Sequence, residues 1–214
     1  ICYLFADGRK EVVKVEFKFG GTSVNSIPEF FNPAADKPFH SVPYAAFFYD
    51  NYMDKLCDVY SIPLADKPPR DLYLKHCYKN TLSAAVPFFK RLRDAEDAEQ
   101  PAKGPKYQQK AALAHKSIQD YLQQQSASTD LAAITAEFQR SQAGKHFLIY
   151  SGGQFHHDRI DDAELIAHSV VGIKGDNLII QSAKPTTQHH MLLRWKNHHC
   201  VLFPAWQISM VRNA

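Results

Sequence analysis

Residues 11–24, EVVKVEFKFGGTSV, decide how the rest of the chain is read. Val12, Val13, Val15, Phe17 and Phe19 are β-formers, and Gly20-Gly21 stops the run. From Lys14 to Phe19 polar and apolar residues alternate. Successive side chains of a strand point to opposite faces. Lys14, Glu16 and Lys18 therefore share one face, and Val15, Phe17 and Phe19 the other. One carboxylate and two ammonium groups line a strand whose back is apolar. Upstream, residues 1–5 form a short apolar and aromatic run, and Asp7-Gly8 is a hairpin signal between two β-runs. An antiparallel hairpin is expected over residues 1–19.

Beyond the glycines, residues 20–36 read as a loop punctuated by Pro28 and Pro33. Over residues 40–60 the pattern turns helical. Pro43 suits a first turn, and Ala45, Ala46, Phe48, Tyr49, Tyr52, Met53, Leu56 and Val59 recur near helical spacing. A proline-rich connector at 62–69 leads to a helical stretch over 70–99, kinked near Pro87. Residues 100–106, QPAKGPK, are the best linker candidate. Two helices are expected at 107–125 and 129–142, the second capped by Ser128 and ended by Gly144. From Lys145 the character changes to β: a strand at 147–150 ended by Gly152-Gly153, then short strands at 165–173, 178–182, 190–195 and 200–203. Turns are expected at 175–177 and 196–198. This order predicts an α+β (mixed α/β) fold. A central mixed sheet is built by the N-terminal hairpin and C-terminal strands and flanked by helices. Residues 1–214 form one domain, with a helical block at 40–142 and a β-rich segment at 145–214.

Composition bounds the function. The chain of 214 residues is 45% apolar and 22% charged, ordinary for a globular domain with a real core. Its net charge of +3 is compatible with a nucleic-acid partner without demanding one. Cys2, Cys57, Cys77 and Cys200 are scattered, with no CxxC spacing. Reduced thiols in an intracellular, cytoplasmic protein are expected, with neither a zinc site nor a disulfide scaffold. No apolar run approaches the ~18 residues of a membrane span, and no signal peptide is visible, so no membrane partner is expected.

Glu16-Phe17-Lys18 is an E-x-K tripeptide on a strand that follows a hairpin turn. It resembles the signature of the PD-(D/E)XK, or restriction-endonuclease-like, superfamily. The resemblance covers about residues 1–20 and implies a Mg²⁺-dependent (or Mn²⁺-dependent) endonuclease that hydrolyses DNA phosphodiester bonds. Glu16 would be a metal ligand, and Lys18 would position or activate the attacking water. The i, i+2 spacing suits this chemistry because both groups project from one face, and a hard cation takes oxygen ligands. The superfamily's aspartate lies ahead of the hairpin. The chain starts in mid-strand, so that acid is expected just upstream of Ile1, with Asp7 the weaker substitute. DNA is the implied partner, gripped by the helical block and the C-terminal β segment. The oligomeric state is left open, a homodimer among the options.

Two other readings compete. In one, Glu16 and Lys18 are a solvated strand face of a non-catalytic nucleic-acid-binding protein. In the other, residues 18–24, KFGGTSV, are similar to the N-terminal motif of aspartokinases and the wider amino-acid kinase family. That resemblance implies ATP phosphates held by Lys18 and the Gly-Gly turn. The chain lacks the alternating strands and helices such kinases need.

Arg194-Trp195-Lys196-Asn197, with Trp206 and Gln207, gathers basic, aromatic and amide groups. Arg194, Lys196, Asn197 and Gln207 are candidates for contacting bases and phosphates, and both tryptophans equally suit a core. Asp50 and Asp54, one helical turn apart, could add a carboxylate to a metal site but more often mark a solvated face. The basic run Lys90, Arg91 and Arg93 adjoins acids and reads as a helix end. The pairs His156-His157, His189-His190 and His198-His199 lack chelating spacing, since neighbours on a strand point apart.

Overall fold

The computed structural model describes residues 2–4, 8, 10–26, 33, 39–77, 86–99, 104–198 and 201–213. The strands β1 (Cys2–Leu4) and β2 (Lys10–Val12) pair antiparallel, Cys2 opposite Val12. A hairpin therefore forms around the Asp7-Gly8 signal, and Gly8 has φ +83°, a conformation glycine adopts without strain. Asp7 itself lies outside the described residues.

The next strand, β3 (Lys14–Phe19), leaves that ladder. It pairs in parallel with β4 (Lys145–Ser151), placing Glu16 beside Phe147 and Lys18 beside Ile149. After a turn at Gly152-Gly153, both at positive φ, β5 (Gln154–Arg159) returns antiparallel along the other side of β4. The result is a three-stranded mixed sheet, β3-β4-β5, drawn from both ends of the chain. A second sheet is an antiparallel meander of β6 (Ala167–Lys174), β7 (Asn177–Ser182), β8 (Thr187–His198) and β9 (Val201–Arg212). The expected turn at 196–198 falls inside β8 rather than after it.

Between β3 and β4 come α1 (Tyr44–Val59), α2 (Arg70–His76), α3 (Pro87–Asp97), α4 (Pro105–Gln125) and α5 (Leu131–Gln142). The fold is α+β. The stretch 70–99 is not one kinked helix. α2 ends at His76, and Pro87 opens α3 at a position where a missing N–H leaves no intrahelical bond unmade. α5 is capped two residues later than its sequence suggests: Asp130 accepts the Ala133 N–H at 2.8 Å. Ser128 instead closes a 3-10 turn, its hydroxyl donating to the Gln125 carbonyl at 2.9 Å.

One continuous core joins these layers. It takes Phe48, Met53 and Leu56 from α1, Tyr121 and Leu122 from α4, and Ile134 and Phe138 from α5. The sheets contribute Phe147 and Ile149 of β4 with Leu178, Ile180, Met191 and Ile208. α1 packs on α4, α4 on β8 and α5 on β6.

β3 alternates as its sequence dictates, yet its apolar face is the outer one. Phe17 is 56% and Phe19 75% exposed, whereas the side chains of Glu16 and Lys18 are only 27% and 24% exposed. The cause is the register with β4. Phe147 and Ile149 are fully buried, and pairing sets Glu16 and Lys18 beside them on the same face. A one-residue slip would turn every β3 side chain over. On the outer face Phe19 meets Tyr150 edge-on at 6.2 Å, and Tyr150 meets Phe155 at 5.0 Å.

Candidate functional site

The inward face of β3 carries an ionic cluster. Lys18 Nζ lies 2.7 Å from Glu16 Oε1, and Lys145 Nζ donates to Glu16 Oε2, also at 2.7 Å. Lys145 additionally donates to Gln142 Oε1 at 3.3 Å. Lys145 opens β4 and pairs in register with Lys14, so it falls on the face of Glu16 one strand away. Three side chains, each about a quarter exposed (24–27%), thus meet at the margin of the core. Burial works to raise the Glu16 pKa, but hydrogen bonds from Lys145 and Lys18 outweigh it and hold the carboxyl below its ordinary value. At neutral pH the cluster is one carboxylate between two ammonium groups. Among the described residues two ammonium groups flank a single carboxylate, surroundings that suit an oxyanion such as phosphate. Among the described residues β3 is an edge strand, so the cluster borders an unclosed sheet edge. Sequence reasoning found Glu16 and Lys18 and missed Lys145. The signal it lacked was the parallel pairing that makes Lys145 a neighbour.

The next acid on this face is Asp158, which lines up with Glu16 across Phe147. Two strand spacings, about 10 Å, separate their backbones, and Asp158 already has partners. Arg212 Nη1 donates to both its oxygens at 3.0 Å, and the Val24 N–H donates to Oδ2 at 2.7 Å. Arg212 also binds Glu164 through Nε and Nη2, at 2.8 and 2.9 Å. Glu164 is fully buried and further accepts from the Thr187 hydroxyl at 2.9 Å and the Asp161 N–H at 3.0 Å. Burial raises the Glu164 pKa, yet Arg212, the Asp161 N–H and Thr187 bring it down to about 2. This second network ties β5, β8 and β9 together and is a structural joint.

A hard cation needs several oxygen ligands. Among the described residues no group of three or more His, Cys, Asp or Glu could hold a metal ion. The cluster fits one ligand position of such an ion, through Glu16.

The glycine turn is built for packing. Gly20 has φ +86°, and its N–H donates to the Tyr150 carbonyl at 3.1 Å, while the Val24 N–H is taken by Asp158. Val24 is fully buried and begins a three-residue 3-10 turn, Val24–Ser26, that packs on β9. Two backbone donors a phosphate would need are thus committed, and the described residues go on into a 3-10 turn rather than an α-helix.

Of the nucleic-acid candidates, Arg194 lies half-buried in β8, pairing in register with Ala205, and Gln207 lies half-buried in β9 opposite Leu192. Lys196 and Asn197 follow in β8, opposite Phe203 and Leu202. These four belong to the four-stranded sheet, whereas Glu16 and Lys18 belong to the three-stranded one. Trp206 is 4% exposed and part of the core.

The remaining candidates resolve into surface pairs. Asp50 binds Arg70 at 2.8 and 3.0 Å, and Asp54 binds Lys67 at 2.6 Å. Lys90 pairs with Asp94, Arg93 with Asp97 and Arg91 with Asp66. His189 is buried while His190 is half-buried, as alternation requires. His146 and His157 stack across the outer sheet face with ring nitrogens 2.9 Å apart. Burial pushes the Cys57 and Cys77 thiols up to about 11 and 12, which makes both inert.

Compared with known protein families, curated proteins and solved structures, the chain matches none of them. No helix among the described residues is long and apolar enough to cross a membrane.

Proposed function

We propose that this protein is a Mg²⁺-dependent endonuclease acting on DNA, of the restriction-endonuclease-like kind, with Glu16, Lys18 and Lys145 as its reactive cluster. The observation that carries the reading is the placement of Glu16 and Lys18. They lie on one face of an edge strand, a quarter exposed, with the carboxylate held ionised by two ammonium groups. A solvated strand face would instead turn these charges outward and bury Phe17 and Phe19, the reverse of what is found.

Glu16 supplies an ionised oxygen ligand. Lys18 and Lys145 hold positive charge where a scissile phosphate would gain negative charge, the role of preorganised electrostatics. Bound at Glu16, Mg²⁺ would contribute Lewis acidity and an activated water. Asp7, which lies outside the described residues, would be the second acid this chemistry needs.

A non-catalytic nucleic-acid binder is the second reading, favoured by the single acid of the cluster among the described residues. Cleavage of supercoiled plasmid with 5–10 equivalents of protein in Mg²⁺ separates the two. Glu16→Ala and Lys18→Ala should each lower the cleavage rate on the order of 100-fold or more while DNA binding persists. Cleavage that survives both substitutions would place the site elsewhere. DNA binding with no cleavage by the wild type would leave the binder.

A further inference from the structure

A cavity of about 200 Å³ lies between α4 and the four-stranded sheet, away from β3. Pockets for drug-sized ligands run to roughly 300–1,000 Å³, so its occupant is a small group. Ala111, Ala114 and Ile118, on one face of α4, form an apolar wall, and the two alanines leave the space. Trp195 of β8 forms a flat wall. Its indole is held in place: Nε1 donates to Tyr44 Oη at 2.6 Å, and the Phe48 ring meets it edge-on at 4.4 Å.

The polar equipment is sparse and of two signs. Asp176, in the turn between β6 and β7, and Arg194 of β8 both line the cavity. Asp176 Oδ2 is bonded to His115 Nδ1 at 2.7 Å, and His115 Nε2 lies 3.0 Å from the Gln119 amide nitrogen. The amide is the donor there, which leaves the imidazole proton on Nδ1, facing Asp176. Asp176 Oδ1 is buried and has no hydrogen-bond partner among the described residues. A buried carboxylate oxygen without a partner is costly, and native structures fill such positions. Lys110, also in the lining, is committed elsewhere: its ammonium pairs with Glu96 and lies 5.2 Å from the Tyr107 ring centroid.

These features select a ligand class. A small anion would meet Asp176, and a small cation would meet Arg194. A flat neutral group whose edge sets an N–H donor beside an acceptor satisfies both, and its faces suit the indole and the alanine wall. That pattern of adjacent donor and acceptor is the edge of a nucleobase, and stacking on an aromatic side chain contributes to binding of every base. We propose that the cavity between α4 and β8 binds a single nucleobase, Asp176 Oδ1 accepting from its N–H and Arg194 donating to its acceptor. The site is independent of the Glu16 cluster and adds a base-recognition function to the chain.

Trp195 and Trp206 are the only tryptophans, and Trp206 is in the core, so indole fluorescence reports on the cavity wall. The test is a fluorescence titration of the full chain, without divalent metal, with the four deoxynucleosides and with single-stranded homo-oligonucleotides. At least one base should give saturable quenching. Ala114→Leu, which fills the cavity, should abolish it, and Asp176→Ala should weaken it about tenfold. Quenching by oligonucleotides far stronger than by nucleosides assigns a base presented by a strand. Equal quenching assigns a free nucleoside. Absence of saturable quenching by every base, or quenching unchanged in Asp176→Ala at unchanged Tm, overturns the proposal. Because Glu16→Ala and Lys18→Ala should leave quenching intact, loss of cleavage and loss of base binding remain separable.

Discussion

Two ionic clusters, one at Glu164 and one at Glu16, differ in what surrounds the carboxylate. Glu164 is fully buried, and its oxygens are met by Arg212, Thr187 and the Asp161 N–H. Glu16 is a quarter exposed, and its charge is met by two flexible lysines at a strand edge. Arginine presents a planar fork that fixes a carboxylate in place, whereas lysine is a movable point charge. The first arrangement locks two sheet edges together. The second holds a carboxylate below its ordinary pKa with two long, flexible side chains, the property on which the proposed reactive role depends.

The contrast is sharpest in stability. Arg212→Ala removes the bridging counter-charge of the buried Glu164 and the half-buried Asp158, leaving Glu164 with Lys184 at 3.4 Å, and should cost about 3–5 kcal/mol, lowering Tm by roughly 6–20 °C in a chain of this size. Lys18→Ala removes a partly exposed partner and should cost no more than about 1 kcal/mol. Thermal melts of the two variants test this directly. Equal losses would mean that the β3 cluster is also a structural joint.

Acid should act through the core histidines before it reaches the carboxylates. His40 is buried between Tyr121 and Trp206 with neither ring nitrogen bonded among the described residues, and burial pushes its pKa down to about 4. Burial does the same to His189, partly offset by the Glu164 carbonyl, again to about 4. An unfolded histidine titrates near 6.5, so between the two values the unfolded chain binds more protons. Stability is then full above about pH 6.5 and falls as pH drops toward about 4, by roughly 3 kcal/mol per histidine. Glu164 extends the loss below its unfolded value toward about pH 2. Denaturant melts at pH 7 and 4.5 should show the fall, and His40→Phe should roughly halve it.

The outer face of β3 should show the smallest effect. Phe17→Ser and Phe19→Ser remove exposed rings and should each shift stability within about 0.5 kcal/mol. A large loss in denaturant melts would show that this face is covered in solution.

Much of this architecture was legible locally. The 3.6-residue pattern gave α1, α4 and α5, and glycine turns gave the ends of β3, β4 and β6. What escaped was non-local. β3 pairs with β4 across more than a hundred residues of intervening chain, so neither the parallel register nor Lys145 could be read from either strand alone. The inversion of β3 follows from that register: alternation fixes which residues share a face, and only packing decides which face is inside. β5 was missed because QFHHDR carries a single apolar residue at the strand's second position. Arg212, Asp158 and Glu164 meet over separations of 48 and 54 residues, with no sequence signal. The cavity exists because Ala111 and Ala114 are small, and alanine in a helix reads simply as a helix former.

The central claim is that the lysines of β3 and β4 hold Glu16 for phosphodiester hydrolysis. The most direct measurement is the rate of Mg²⁺-dependent cleavage of end-labelled duplex DNA by the wild type and by Lys18→Ala, at a temperature where both are folded. The account predicts cleavage by the wild type and a loss on the order of 100-fold or more in Lys18→Ala, with Tm nearly unchanged. Equal cleavage by the two proteins, or none by the folded wild type, would contradict it.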